Sequence, residues 1–76
     1  MIYYEIYEDL RDKILEGVYP YQTFIPSESK LASLYECSHN TLRKAISVLM
    51  LHGLVQPIRG KGVLVIYRPE RRAYFV

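Results

Sequence analysis

The sequence has a single cysteine, no tryptophan and no long apolar run. With Cys37 alone no internal disulfide can form, so the fold must rest on its hydrophobic core, and a reducing, cytoplasmic setting fits. No apolar segment approaches the roughly 20 residues that cross a bilayer, and the early acidic residues are unlike the positive start of a signal peptide. At 76 residues, the chain has room for one domain and not for a sizeable enzyme active site.

Acidic residues are scarce in the second half of the chain. Residues 1–37 carry three basic and seven acidic side chains, a net charge of −4. Residues 38–76 carry seven basic side chains against Glu70 alone, a net charge of +6. The overall charge of +2 conceals this difference. A basic half indicates a nucleic-acid surface or, as the weaker alternative, an anionic membrane surface.

The segment from Ser38 to about His52 predicts a helix with two different faces. Its apolar face carries, at helical spacing, Leu42, Ala45, Ile46 and Leu49. Its polar face carries hydrogen-bonding and cationic groups without a carboxylate: Asn40, Arg43, Lys44 and Ser47. Most charged helix faces are simply solvated, and that is the plain alternative. A helix of this kind can also pack one side on a core and push the other into an anionic groove.

Two shorter-range signals place helices upstream. A first helix is predicted from about Ile2 to Glu16, because apolar residues recur there at helical spacing. A second is predicted from Ser27, an N-cap candidate, to about Glu36. Three tyrosines on or beside the apolar stripes are expected in the core rather than on a base-stacking surface: Tyr3, Tyr7 and Tyr35. A short turn joins the second helix to the third, and together they make a helix-turn-helix candidate. Cys37 lies in this turn and is expected to be buried.

Beyond the third helix the pattern changes to β-structure. Two segments rich in β-branched and aliphatic residues, 54–56 and 63–67, flank Arg59-Gly60-Lys61-Gly62 and predict a hairpin with a cationic, glycine-containing tip. Phe24-Ile25 is expected to pair briefly as a short strand before Pro26. Glycine and lysine in a tip can serve turn chemistry alone. After a helix-turn-helix, however, such a hairpin is interpreted as a wing whose backbone approaches the sugar-phosphate wall. The expected fold class is α+β, mainly α: a winged helix-turn-helix of three helices and a β-hairpin wing.

The predicted recognition residues lie at the start of the third helix. In helix-turn-helix docking, the N-terminal part of the second helix meets base edges in the major groove. Arg43 can offer two parallel donors to guanine O6 and N7, with His39, Asn40 and Thr41 in support. The two histidines are far apart in sequence and the thiol is alone, so no metal site is predicted. No nucleophile or carboxylate pair has supporting context, so a binding protein is expected rather than an enzyme, and no cofactor.

An ordered series of short motifs runs through the chain. These motifs are Ile25-Pro26-Ser27-Glu28, Leu31-Ala32, Ser38, Thr41-Leu42-Arg43-Lys44-Ala45, Leu49, Gly53-Leu54-Val55 and Arg59-Gly60-Lys61-Gly62. In this combination the chain resembles the N-terminal winged helix-turn-helix domain of GntR-family bacterial transcription regulators, and most of all the HutC branch with its trehalose-operon repressors. The resemblance implies DNA contacts from Thr41 and Arg43 on the helix and from Gly60 and Lys61 in the wing. Ser27 and Glu28 match the residues that open the second helix.

Several positions depart from the family pattern. Ser29 and His39 stand where relatives usually carry arginine, and Glu36 replaces a frequent turn glycine. A left-handed conformation at Glu36 would cost on the order of 1 kcal/mol. The full predicted DNA-binding set is Ser27, Glu28, Ser38, His39, Asn40, Thr41, Arg43, Lys44, Arg59, Gly60, Lys61 and Gly62.

The resemblance also implies partners and domain organisation. Residues 1–68 are expected to form the DNA-binding domain, and residues 69–76 to lead towards an effector-binding, dimerising domain outside this sequence. Double-stranded DNA with a two-fold operator, a homodimer in the full-length protein and a small-molecule effector are the implied partners, with no membrane. A repressor is expected more than an activator. The alternative from another class is a winged helix that serves as a protein-interaction module, which should expose an apolar patch and lack a single-sign groove face.

Overall fold

The computed structural model describes residues 2–68, which form three helices followed by a two-stranded antiparallel sheet. The elements are α1 (Tyr3–Leu15), α2 (Glu28–Leu34), α3 (His39–Leu51), β1 (Val55–Ile58) and β2 (Gly62–Val65). The predicted winged helix-turn-helix is confirmed, with helix ends that differ from the prediction by one or two residues. The predicted exit segment 69–76 lies outside the described residues. None of the helices within 2–68 is long and apolar enough to cross a membrane.

The core lies where the apolar faces of the three helices meet the sheet. The largest of the almost completely buried side chains are Ile6, Leu10, Ile14, Leu31, Leu42, Leu49 and Val65. All four residues of the predicted apolar face of α3 are buried. Burying one such aliphatic side chain stabilises the fold by roughly 1.5–3 kcal/mol. This core fixes α3 along one side and leaves its other side exposed.

Two expectations about buried residues need correction. Tyr7 and Tyr35 are buried as predicted, but Tyr3 is 41% exposed. Tyr3 opens α1, and its ring lies over the ammonium of Lys44, 6.0 Å from nitrogen to ring centroid, instead of entering the core. Cys37 is half-buried rather than buried, and it packs against the edge of the core.

Both predicted caps of the helix-turn-helix are confirmed. The Ser27 hydroxyl accepts a hydrogen bond from the backbone N–H of Lys30 at 3.2 Å, and the Ser38 hydroxyl accepts one from Thr41 N–H at 3.1 Å. Between the helices Glu36 has a φ of 50°, which is the left-handed conformation considered from the sequence. These contacts fix the angle at which α3 leaves the turn.

The wing is anchored by a third stretch of chain. β1 and β2 pair in antiparallel register, from Val55 opposite Val65 to Ile58 opposite Gly62. The predicted pairing before Pro26 is confirmed by an isolated bridge between Phe24 and Leu64 on the other edge of β2. β1 runs beyond its predicted end and includes Pro57, which is tolerated because β1 is an edge strand. β2 ends at Val65, short of the predicted residue 67. The second strand is therefore bonded on both edges.

Candidate nucleic-acid interface

The predicted polar face of α3 is exposed along its length. All four of its residues are exposed: Asn40, Arg43, Lys44 and Ser47. The Ser47 hydroxyl donates to the carbonyl of Arg43 at 2.8 Å, so its proton is used within the helix. The Arg43 side chain is 64% exposed. The cationic groups of this face are therefore available to a partner outside the molecule.

Glu28, the first residue of α2, brings a carboxylate against this face. Its Oε2 accepts from Arg43 Nε at 3.2 Å, and its Oε1 lies 3.0 Å from Arg43 Nη2. The same Oε1 lies 2.5 Å from Nδ1 of His39. The hydrogen bond with His39, followed by that from Arg43, lowers the pKa of Glu28, so the carboxylate is ionised at neutral pH. The polar face of α3 has no acidic residue of its own, but the carboxylate of Glu28 from α2 lies against it.

This contact orients Arg43 without using all of its donors. A guanidinium has five N–H donors in a planar fork. Glu28 takes the edge formed by Nε and Nη2, and the donors on the opposite edge remain for a further partner. Sequence reasoning placed Glu28 in the site but assigned it no contact with α3. The contact joins residues 11 and 15 positions apart on two different helices, so the periodicity within either helix could not have revealed it.

The other residues at the start of α3 divide into two groups. Ser38 and Thr41 have their hydroxyls 2.9 Å apart, and Ser38 also caps the helix. The hydroxyls of Ser38 and Thr41 therefore serve the local structure first. Asn40 and Lys44 are exposed. The side chains that the structure offers outward along this helix are therefore amide and cationic groups.

The tip of the wing is exposed and its turn needs glycine. Arg59, Gly60 and Lys61 are all exposed, and Lys61 N–H donates to the carbonyl of Ile58 at 3.0 Å to close the turn. Gly60 has a φ of 76° and Gly62 a φ of 133°, conformations that residues with a Cβ rarely adopt. The glycines predicted from the sequence as tip residues thus shape the turn.

A cleft of about 350 Å³ lies between the wing and the helices. Its apolar walls are Ile25, Pro26, Ile46, Ile58 and Val63. Four of the predicted site residues also line it: Ser27, Glu28, Lys61 and Gly62. The structure therefore brings the start of α2 and the wing tip to one side of the molecule, beside the exposed face of α3.

The three helices, the capped turn, the exposed cationic helix and the anchored cationic hairpin define a winged helix-turn-helix domain of the DNA-binding class. The chain belongs to the gntR family of bacterial regulatory proteins, whose profile matches residues 2–65.

Curated relatives carry the same domain within longer chains. The HTH-type transcriptional regulator TreR of Bacillus subtilis (strain 168) is 38% identical over 65 residues, covering 86% of this chain and 27% of TreR. The HTH-type transcriptional repressor NagR of the same organism is 36% identical over 64 residues, covering 84% of this chain and 26% of NagR. The chain thus spans about a quarter of the length of these relatives.

Solved structures agree with this placement. The DNA-binding domain of AraR in complex with operator ORX1 superposes with a TM-score of 0.80 at 32% identity, covering 83% of this chain and 76% of that one. A GntR family transcriptional regulator from Listeria monocytogenes gives a TM-score of 0.83 at 22% identity, covering 95% and 63%, and supports the fold alone. These findings favour the DNA-binding interpretation over a protein-interaction module.

Proposed function

We propose that this chain is the DNA-binding part of a bacterial transcription repressor and that it binds duplex operator DNA through α3 and the wing. The observation that carries the proposal is the exposed cationic face of α3 beside the cationic tip of the wing. The similarity to a domain solved on its operator and to a relative named as a repressor supports it.

In this proposal α3 enters the major groove with its N-terminal end towards the bases. Arg43, oriented by Glu28 along one edge, presents its opposite edge to O6 and N7 of a guanine. Asn40, Thr41 and His39 flank it, and Lys44 lies one residue further along the helix. The role of Glu28 is then to hold the arginine before DNA arrives, which lowers the entropy cost of binding.

The wing contributes sequence-independent affinity. Arg59 and Lys61 neutralise phosphates or enter the adjacent minor groove, while Gly60 and Gly62 let the backbone approach closely. Because phosphate contacts release counterions, this part of the affinity falls with rising salt. Base choice is then set on α3 and binding strength largely on the wing.

The proposal extends to the full-length protein. Two copies bind a two-fold operator, with half-sites about 34–36 Å apart for each helical turn between them. Residues 1–68 form the DNA-binding domain, and residues 69–76 lead to an effector-binding domain that dimerises. The protein is a cytoplasmic, non-catalytic regulator, since its operator DNA lies in the cytoplasm. The HutC branch and a trehalose operon remain predictions, because identities of 38% and 36% to two regulators do not distinguish between them.

A titration of the isotopically labelled chain with duplex DNA tests where DNA binds. The quantity measured is the shift of each backbone amide signal in the NMR spectrum. The expected changes are confined to residues 38–47 and 59–62, with smaller ones at the start of α2. The exposed end of α3 at Leu51, which is 84% exposed, serves as the internal reference. Changes centred on Leu51, or none at all, would contradict the proposed interface.

A further inference from the structure

His39 shares the carboxylate of Glu28 with Arg43. The His39 side chain is 52% exposed, and its Nδ1 lies 2.5 Å from Glu28 Oε1. It is the first residue of α3 and therefore stands at the end of the helix that meets base edges in the proposed complex. Its position in the fold leaves one ring nitrogen tied to the protein and the other to be offered to a partner.

The partner of Nδ1 decides the chemistry of the other nitrogen. An ionised carboxylate can only accept hydrogen bonds, so Nδ1 must carry the proton in the contact with Glu28. A neutral imidazole has a single N–H, which leaves Nε2 as an acceptor. When the ring takes up a second proton from solvent, Nε2 becomes a donor and the contact with Glu28 is kept.

We propose that His39 is a specificity-determining residue that reads a base edge through Nε2 and that its protonation changes the base it prefers. The inference rests on the proposed function. With a neutral ring, Nε2 accepts from the amino group of adenine N6 or cytosine N4. With a charged ring, it donates to an acceptor: adenine and thymine each present one in the major groove, N7 and O4, whereas guanine presents two, O6 and N7. The same site therefore favours an amino base at higher pH and guanine at lower pH.

The charged groups around the imidazole support this assignment. Glu28 from α2 contacts the ring directly, and Arg43 from α3 binds the same carboxylate. Lys61 from the wing lines the cleft that Glu28 also lines. The hydrogen bond with His39, followed by that from Arg43, lowers the pKa of Glu28, so the carboxylate stays an acceptor between about pH 8 and 5. An arginine at this position would stay charged across that range.

The test selects bound sequences from duplexes that contain a randomised segment. The chain is used at fixed salt at about pH 8 and about pH 5.5, on either side of the ordinary imidazole range. One position of each half-site is expected to change from adenine or cytosine to guanine, with a preference of about threefold to tenfold at each pH, the range of one hydrogen bond. His39→Arg should select guanine there at both pH values.

His52→Gln is the matched control, because this second histidine stacks on the ring of Tyr7 at the far end of α3, with 5.6 Å between ring centroids. It should keep the pH-dependent change. The same base at both pH values in the unaltered chain, or a change that persists in His39→Arg, would overturn the inference while leaving the proposed function intact. A failure to enrich any sequence would instead contradict the proposed function itself.

A second measurement does not depend on DNA. The nitrogen chemical shifts of the His39 ring at about pH 8 report which nitrogen carries the proton. Nδ1–H is expected, and Glu28→Gln should weaken that preference. A ring protonated on Nε2 in the unaltered chain would overturn the assignment.

Discussion

Arg43 is exposed yet held in place, which suits a side chain that recognises a base with two donors. Replacing it with alanine is expected to cost about 1–3 kcal/mol of binding to a selected operator and to relax base choice. Arg43→Lys should not restore the preference, because an ammonium lacks the planar fork. Fluorescence anisotropy with the selected duplex and a scrambled duplex measures both effects. Equal discrimination by Arg43→Lys and the unaltered chain would exclude bidentate recognition.

Lys61 at the wing tip is assigned to the phosphate backbone. Lys61→Ala should therefore weaken binding to all duplexes alike and reduce the slope of log K against log salt by about one. Arg11, which lies over the ring of Tyr7 beside His52 at the far end of α3, provides the matched control, since Arg11→Ala should change neither. A loss confined to one operator sequence would show that Lys61 contacts bases.

Glu36 carries backbone strain in the turn between α2 and α3. Its φ of 50° is unfavourable for a residue with a Cβ, and the neighbouring N–H of Cys37 is bonded to the carbonyl of Ala32 at 3.0 Å. Glu36→Gly keeps that bond and removes the clash, so it should stabilise the domain by up to about 1 kcal/mol. Urea unfolding of Glu36→Gly and Glu36→Ala separates the backbone effect from loss of the side chain. A lower urea midpoint for Glu36→Gly than for Glu36→Ala would contradict the assignment of backbone strain to Glu36.

At the scale of elements, Asp9 ties α1 to the end of α2. Its Oδ2 accepts from the hydroxyl of Tyr35 at 2.5 Å and from Nζ of Lys13 at 2.9 Å. The hydrogen bond from Tyr35, followed by that from Lys13, lowers the pKa of Asp9. Burial, and then the hydrogen bond to Asp9, raises the pKa of Tyr35, so its hydroxyl stays a donor.

The lowered pKa of Asp9 sets a direction for acid stability. Its contribution is present above the ordinary aspartate pKa near 3.9 and is lost as pH falls through the lowered folded value. Asp9→Asn should therefore destabilise the domain at about pH 7 and much less at about pH 3. Urea unfolding at both pH values measures the difference, with Asp12→Asn as a control because Asp12 pairs with the adjacent Arg11 within α1. A deficit of equal size at both pH values would exclude the ionic contribution.

The elements that could be predicted are those that local pattern determines. The two faces of α3, the caps at Ser27 and Ser38 and the glycine-containing wing follow from spacing and residue type within a few positions. The contact of Glu28 with α3 could not be predicted, because it depends on the angle between two helices. Tyr3 was misplaced for a related reason: a stripe identifies the inward face of α1 but not how far the core extends along it.

At the scale of the whole molecule, the acidic and the basic halves of the chain supply different parts of the structure. The acidic first half supplies α1, which packs on α3, and contributes Glu28 to the interface. The basic second half supplies the exposed face of α3 and the wing tip. The two halves meet at the cleft beside Glu28 and Lys61. Net charge alone would not have distinguished this chain from an ordinary globular domain.

The most direct test of the central proposal is a titration of the chain against duplex DNA at several salt concentrations. Because the cationic wing is proposed to neutralise phosphates, log K should fall linearly with log salt, by about 0.9 for each phosphate contacted. A variant that combines Arg43→Ala with Lys61→Ala should bind more weakly and show a shallower slope. Binding that does not weaken as salt rises, or an unchanged slope in that variant, would contradict the proposal that this face binds DNA.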